Sequence, residues 1–261
     1  MDLRPLGSTG IDVSPLGLGT VKFGRNQQVK YPRAFDLPDD RSIVDLLALA
    51  RDLGINLLDT APAYGTSQQR LGGLLGDTRG HWVIVSKVGE IFEHGESRFD
   101  FSYAHTVATV EDSLRTLRTD YLDCVLIHSD GDDLRIFDEG GAVDALHELK
   151  RRGLIRTHGM STKTVAGGLR TLAEMDVVMA TCNLEYNDEL PVLVAAQAQA
   201  KGVLIKKGLM SGHVHGADGV EKSFAHVFAQ PGVSSMIVGT INPAHLRSNV
   251  AALERVLAAA G

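Results

Sequence analysis

Short apolar runs bounded by turn residues alternate with longer amphipathic stretches along the whole chain, and that alternation restricts its fold more than any other feature. The runs at 16–20, 55–59, 82–87, 122–128, 157–161, 177–183, 203–207 and 235–239 read as strands. The stretches at 68–76, 103–118, 142–152, 164–175, 188–201, 219–229 and 243–259 read as helices. A further helix starts at Asp39 or Asp40, either of which can cap it, and carries Ile43, Leu46, Leu47 and Ala50 at helical spacing. Asn242-Pro243 opens the last helix, with Asn as its cap and Pro at the first helical position.

Eight such units share 261 residues, about 33 each, enough for a strand, a crossover helix and two loops. This predicts an α/β fold, a closed (β/α)8 TIM barrel forming one domain over residues 1–261. An N-terminal β-hairpin precedes it, turning at Gly7-Ser8-Thr9-Gly10. Val83-Ile84-Val85 and Cys124-Val125-Leu126-Ile127 are near-continuous apolar runs, as parallel strands covered on both faces require. An open doubly wound sheet would place a Gly-x-Gly-x-x-Gly turn after its first strand. Here Gly17-Leu18-Gly19 lies inside the strand, and no third glycine follows at the needed spacing.

Lys plus Arg number 26 against 32 Asp plus Glu, a formal net charge of −6, and no polybasic run occurs. Nucleic acid and anionic membranes are therefore poor partners. Cys124 and Cys182 are too few to staple a domain of this size, which points to a reducing compartment. The opening Met1-Asp2-Leu3-Arg4-Pro5 lacks the layout of a signal peptide, and no apolar run reaches the roughly 20 residues that span a bilayer. The expectation is a soluble cytoplasmic protein, monomeric because no long apolar surface stripe stands out.

In such a barrel, chemistry sits at the C-terminal ends of the strands. Asp59 ends the second strand, Lys87 the third and His128 the fourth, and Tyr64 follows Asp59 by five residues. Taken singly, each has a bland reading: a turn cap, a frayed-end lysine, a satisfied core histidine, a packing tyrosine. Their coincidence on consecutive units singles them out. A buried Lys or Asp needs a partner, and Asp59 and Lys87 can supply each other's. A phenol with its ordinary pKa of about 10 is a poor acid near neutrality. An ammonium beside it lowers that pKa, bringing proton transfer within range. With Asp59 holding Lys87 and His128 able to hydrogen-bond a substrate oxygen, the set can protonate a carbonyl, while a cofactor must bring the hydride.

These residues resemble those of the aldo-keto reductases, in particular the short bacterial-type members. Leu58-Asp59-Thr60-Ala61-Pro62-Ala63-Tyr64-Gly65 resembles the family's Asp-to-Tyr segment, and Val85-Ser86-Lys87-Val88-Gly89 its lysine strand. Tyr121-Leu122-Asp123-Cys124-Val125-Leu126-Ile127-His128 resembles its histidine strand. The resemblance runs from about residue 3 to residue 257. It implies an NAD(P)H-dependent oxidoreductase that reduces aldehyde or ketone carbonyls of small molecules. Tyr64 would be the general acid, tuned by Lys87 and Asp59, with His128 orienting the carbonyl. It further implies cofactor contacts at Gly19, Thr20, Val21, Asp59, Ser161, Asn183, Lys206, Gly239, Thr240, Ile241, His245 and Asn249, with NADP (NADPH) favoured over NAD and no metal.

The chain departs from the family pattern in places. Lys206, followed by Lys207, stands where an aromatic usually stacks on the nicotinamide; it reads either as a cofactor contact or as a solvated strand end. His245 stands for the usual Arg of the 2′-phosphate site, Gln68 for a Glu linked to ribose or adenine contacts, and Thr162 for Asn. The sequence stops at Gly261, so the resemblance implies an open pocket, with Val21, Tyr64, Phe92 and His128 among its walls. Two other function classes compete. His213-Val214-His215 looks like a metal-ligand pair but lies in a Gly-rich loop without a carboxylate-rich surround. A non-catalytic nicotinamide-nucleotide-binding sensor or interaction subunit would keep the same cofactor site.

Overall fold

A computed structural model describes residues 1–214 and 218–260. Strands β1 (Arg4–Pro5) and β2 (Asp12–Val13) form the antiparallel hairpin. The chain continues through β3 (Leu16–Gly19), the short α1 (Val21–Gly24), α2 (Asp40–Asp52), β4 (Leu57–Asp59), α3 (Ser67–Leu74) and β5 (Val83–Val88). A second antiparallel hairpin, β6 (Glu90–Glu93) and β7 (Glu96–Phe99), then leads to α4 (Tyr103–Leu117) and β8 (Leu122–His128). Two helices follow, α5 (Asp133–Glu139) and α6 (Ala142–Arg151), before β9 (Ile155–Ser161), α7 (Val165–Glu174) and β10 (Val177–Thr181). The remainder is α8 (Leu190–Ala198), β11 (Gly202–Lys206), α9 (Gly219–Phe228), β12 (Val233–Val238) and α10 (Pro243–Ala260).

Eight parallel strands, β3-β4-β5-β8-β9-β10-β11-β12, close into a barrel through the pairing of β12 with β3. The helices start where the sequence supplies caps. Asp39 accepts a hydrogen bond from the Ser42 amide at 2.7 Å and opens α2. The Asn242 carboxamide oxygen accepts from the Ala244 amide at 2.9 Å, with Pro243 as the first residue of α10.

The strands alternate their side chains between two cores. Ile84, Val88, Val125 and Ile127 face the helices. Leu57, Val83, Val85, Cys124, Leu126 and Leu204 fill the barrel, whose floor is plugged by Leu6, Ile11 and Val13 of the hairpin. Both cysteines are buried and free. Among the described residues no helix is long and apolar enough to cross a membrane.

Candidate active site

The two-residue period that fills the barrel with aliphatic side chains lower down brings polar ones inward at its upper rim. On β4, Leu57 is followed two residues on by Asp59; on β5, Val85 by Lys87; on β8, Leu126 by His128; on β11, Leu204 by Lys206. Strand register sets Gly19 beside Asp59, His128 beside Ser161, and Thr181 beside Lys206. These rim positions open into a cavity of about 790 Å³ lined by Gly19, Val21, Asp59, Tyr64, Lys87, His128, Ser161, Lys206, Gly239, Thr240, His245 and Asn249.

Lys87 and Asp59 are both buried, and the ammonium donates to the Asp59 carboxylate at 2.5 Å and to the Thr60 carbonyl at 3.1 Å. Tyr64 reaches them from the loop after β4, its ring centroid 4.9 Å from the Lys87 nitrogen. Burial opposes the Lys87 charge, but Asp59 and Tyr64 outweigh it and raise its pKa above the ordinary lysine value. For Tyr64 the balance is the reverse of the sequence expectation. Burial pushes the phenol up to about 12, and the downward pull of Lys87 only partly offsets it. The phenol is thus fully protonated at neutral pH, a donor held beside a fixed positive charge.

His128 completes this wall, its ring centroid 6.4 Å from that of Tyr64 and nearly perpendicular to it. Its Nδ1 lies 2.7 Å from Oε2 of Glu90 on β6. The contact is short but poorly aligned for a hydrogen bond. Glu90 also accepts from Ser97 at 2.7 Å and from the Arg25 guanidinium at 3.3 Å.

The opposite wall is built around Lys206. Its nitrogen donates to Ser161 Oγ at 2.9 Å and to the Thr162 carbonyl at 2.5 Å, which rules out a solvated strand end. Among the described residues it makes no ion pair. Burial pulls its pKa down to about 7, with Glu189 opposing. Glu189 in turn accepts from Thr162 Oγ1 at 3.0 Å and the Thr181 amide at 3.1 Å. Lys207, one residue on, is exposed at a φ of +57°.

Three expected cofactor residues lie outside the cavity lining. Thr20 is buried between β3 and α1, donating to the Asp59 carbonyl at 3.0 Å and accepting from Ser67 at 2.8 Å. Asn183 is committed to its own loop: its oxygen accepts from the Glu185 and Tyr186 amides, and its nitrogen donates to the Lys207 carbonyl. Ile241 packs against the helix-side core. Gln68 donates to Ser86 beneath α3 at 2.7 Å, away from the groove, and Phe92 lies under the Arg25 guanidinium at 3.4 Å. Of the histidine pair, His213 is exposed with Nδ1 2.9 Å from the Met210 carbonyl, and His215 lies outside the described residues. Among the described residues no group of three His, Cys, Asp or Glu could hold a metal.

Sequence reasoning did not name Lys22 on α1, Tyr31 and Arg33 in the stretch between α1 and α2, or Ser248 on α10, all of which line the cavity. Tyr31 and Arg33 gave no signal because they lie in an irregular stretch with no period to read. They bear on whether a dinucleotide fits. Five cations, Lys22, Arg33, Lys87, Lys206 and Lys207, line the described cavity against the single carboxylate of Asp59, in a chain whose net charge is −6. That imbalance suits a polyphosphate. At Gly239 a Cβ would come 2.6 Å from the Tyr31 hydroxyl, so the glycine keeps the backbone approachable beside the N-terminus of α10. The residues present fit a phosphate-bearing nucleotide.

Comparison with known proteins agrees with this geometry. A model of the Aldo/keto reductase family matches residues 15–204. A solved chain from Pseudomonas aeruginosa assigned to the aldo-keto reductases is 56% identical, with a TM-score of 0.91 over 98% of this chain and 95% of that one. An uncharacterised oxidoreductase of Bacillus subtilis is 27% identical, covering 97% of this chain and 91% of its own length. L-Galactose dehydrogenase of Arabidopsis thaliana is 28% identical over 97% of this chain and 88% of its own.

Proposed function

The chain belongs to the aldo/keto reductase family and is an NAD(P)H-dependent enzyme, and we propose that it reduces aldehyde or ketone carbonyls to alcohols with Tyr64 as the proton donor. The observation that carries this reading is the placement of a protonated phenol against a buried ammonium that is itself fixed by a carboxylate. As a carbonyl oxygen gains negative charge, Tyr64 donates its proton to it. Lys87 stabilises the phenolate left behind, because a nearby positive charge favours the ionised form. Asp59 keeps that ammonium aimed at the phenol rather than at solvent. His128 is the second polar contact for the substrate. A reduced nicotinamide, when bound, would supply the hydride.

Ser161, Lys206, Gly239, Thr240, His245 and Asn249 would hold the nucleotide, with Gly19 and Val21 flanking it. NADPH is the proposed cofactor, on the strength of the five lining cations. His245 is a weaker phosphate ligand than an arginine, which can grip a phosphate with two parallel bonds. Side-by-side titration with NADPH and NADH tests the choice, and tighter binding of NADH would reverse it.

Turnover is tested by mixing protein, NADPH and 4-nitrobenzaldehyde and following the nicotinamide absorbance. Tyr64→Phe should abolish turnover while nucleotide binding survives. Equal turnover in wild type and Tyr64→Phe would defeat the role given to the phenol.

A further inference from the structure

Lys22, Lys87, Lys206 and Lys207 all line the cavity, and their surroundings set them apart. Lys87 is tied to the Asp59 carboxylate, which keeps its nitrogen protonated and without a free electron pair. Lys22 lies over the rings of Tyr31 and Phe35, 3.8 and 4.9 Å from their centroids. Lys207 is exposed. Lys206 differs from all three. Its side chain is half-buried in the wall, and its nitrogen has two neutral acceptors, Ser161 Oγ at 2.9 Å and the Thr162 carbonyl at 2.5 Å. Glu189, the carboxylate that acts on it most strongly, is committed to Thr162 Oγ1 and the Thr181 amide.

That setting suits a neutral amine. An ammonium has three donors and no lone pair, whereas a neutral amine has two donors and one lone pair. Ser161 and Thr162, both at the end of β9, take two donors, which leaves the third corner of the nitrogen to the cavity. The groups around it decide what that corner carries. Burial brings the pKa of Lys206 down to about 7, Lys207 and Lys163 add to the lowering, and Glu189 and Asp133 oppose it. Near neutrality about half of the molecules therefore present a lone pair there, and amines of this kind add to carbonyl carbons. The carbonyl site is close by: Ser161, which holds the amine, lies beside His128 in strand register.

We propose that Lys206 is a second reactive group of the cavity, an amine that captures aldehydes as an imine in the nucleotide-free protein and is shielded when a nucleotide is bound. In the first step the lone pair forms the C–N bond while the carbonyl π pair moves to oxygen. One amine proton passes to Ser161 Oγ, whose own proton passes to that oxygen, giving a carbinolamine. The hydroxyl then leaves with the remaining N–H proton as water, and C=N forms. Aldehyde and amine thus become imine and one water, with nothing oxidised or reduced. Capture uses no hydride and does not depend on the reductase reading. The shielding rests on a nucleotide seated against Ser161 and Lys206.

Nucleotide-free wild type is incubated with 4-nitrobenzaldehyde and cyanoborohydride, which reduces the imine to a stable secondary amine, and the labelled lysines are mapped by peptide mass spectrometry. At pH 7 Lys206 should be labelled about a hundredfold faster than surface lysines, because an ordinary lysine is almost wholly protonated there. Its rate should fall below pH 7 and level off by pH 9, where surface lysines are still gaining. Lys206→Met should lose the fast label and Lys207→Met should keep it. Shielding is read in Tyr64→Phe, where saturating NADPH should suppress the label without consuming the aldehyde. Labelling of Lys206 no faster than that of surface lysines overturns the inference, and this is read on wild type whether or not the variants fold. Fast labelling that saturating NADPH leaves unchanged overturns it too. Turnover by wild type without capture sinks this inference alone. Capture that NADPH blocks, in a wild type that reduces no aldehyde, leaves it standing and removes the reductase reading.

Discussion

The cavity has two lysines at its rim, on opposite walls, and the fold treats them differently. Lys87 ends β5 with a carboxylate 2.5 Å away, and its charge is reinforced. Lys206 ends β11 with only neutral oxygens in hydrogen-bond reach, and burial brings its pKa down to about 7. Both side chains enter the barrel by the same alternation along their strands. What differs is the partner on the next strand: Asp59 stands on β4 beside β5, whereas Thr181 stands on β10 beside β11. A buried lysine keeps its proton when an anion shares its site and gives it up when none does. One wall is thus built to hold charge through a reaction, and the other to let charge come and go.

The sharpest way to break this contrast is to strip Lys87 of its charge. Lys87→Met should cut kcat/KM by about a hundred- to a thousandfold, the usual cost of losing one preorganised stabiliser of developing charge. It also leaves Asp59 buried and unpaired, which should lower unfolding free energy in urea by about 3–5 kcal/mol. Adding Asp59→Asn should recover most of the stability but none of the rate. A double variant that regained activity would show that the pair serves folding rather than catalysis.

The strands that carry these walls were readable from the sequence as short apolar runs, and so were the residues that end them. Asp59, Lys87 and His128 were found because each ends a strand, and the rule that barrel chemistry sits at the C-terminal strand ends carried them to one rim. Neighbours were harder. Thr20 and Ile241 lie beside true lining residues along the chain, but their side chains are buried elsewhere, and Asn183 was drawn into bracing its own loop. The β6–β7 hairpin was missed because its eight strand residues include Glu90, Glu93, Glu96 and Arg98 and resemble a polar loop. Helix α5, seven residues long, is too short for a helical period to show. Glu90 therefore had no local signal. Its position depends on a hairpin and on Gly89, and both act only in three dimensions.

The second test compares the redox forms of the cofactor. Oxidation adds a positive charge to the nicotinamide, and a charged Lys206 in the same cavity would disfavour that form. Below pH 7, wild type should bind NADP+ about tenfold more weakly relative to NADPH than Lys206→Met does, a discrimination of about 1.4 kcal/mol. At pH 9, where Lys206 is largely neutral, the two proteins should give the same ratio in fluorescence titrations. An identical ratio at both pH values would mean that Lys206 does not sense the ring.

The smallest expected effect is on stability, and its sign follows from the same depressed pKa. An unfolded lysine keeps its proton up to its ordinary value of 10.5, whereas the folded Lys206 releases it near pH 7. Between those values the unfolded chain binds more protons, so unfolding free energy rises with pH. Below pH 7 both states are protonated, and the cost of burying the charge is paid in full. From pH 7 to pH 9, wild-type Tm should therefore climb relative to that of Lys206→Met, which has no such proton to release. Lys87 is the internal control, because its raised pKa places its own linkage well above this window. A difference in Tm between wild type and Lys206→Met that stayed flat from pH 6 to 9 would put Lys206 in the same class as Lys87, a permanent charge, and remove the asymmetry between the two walls.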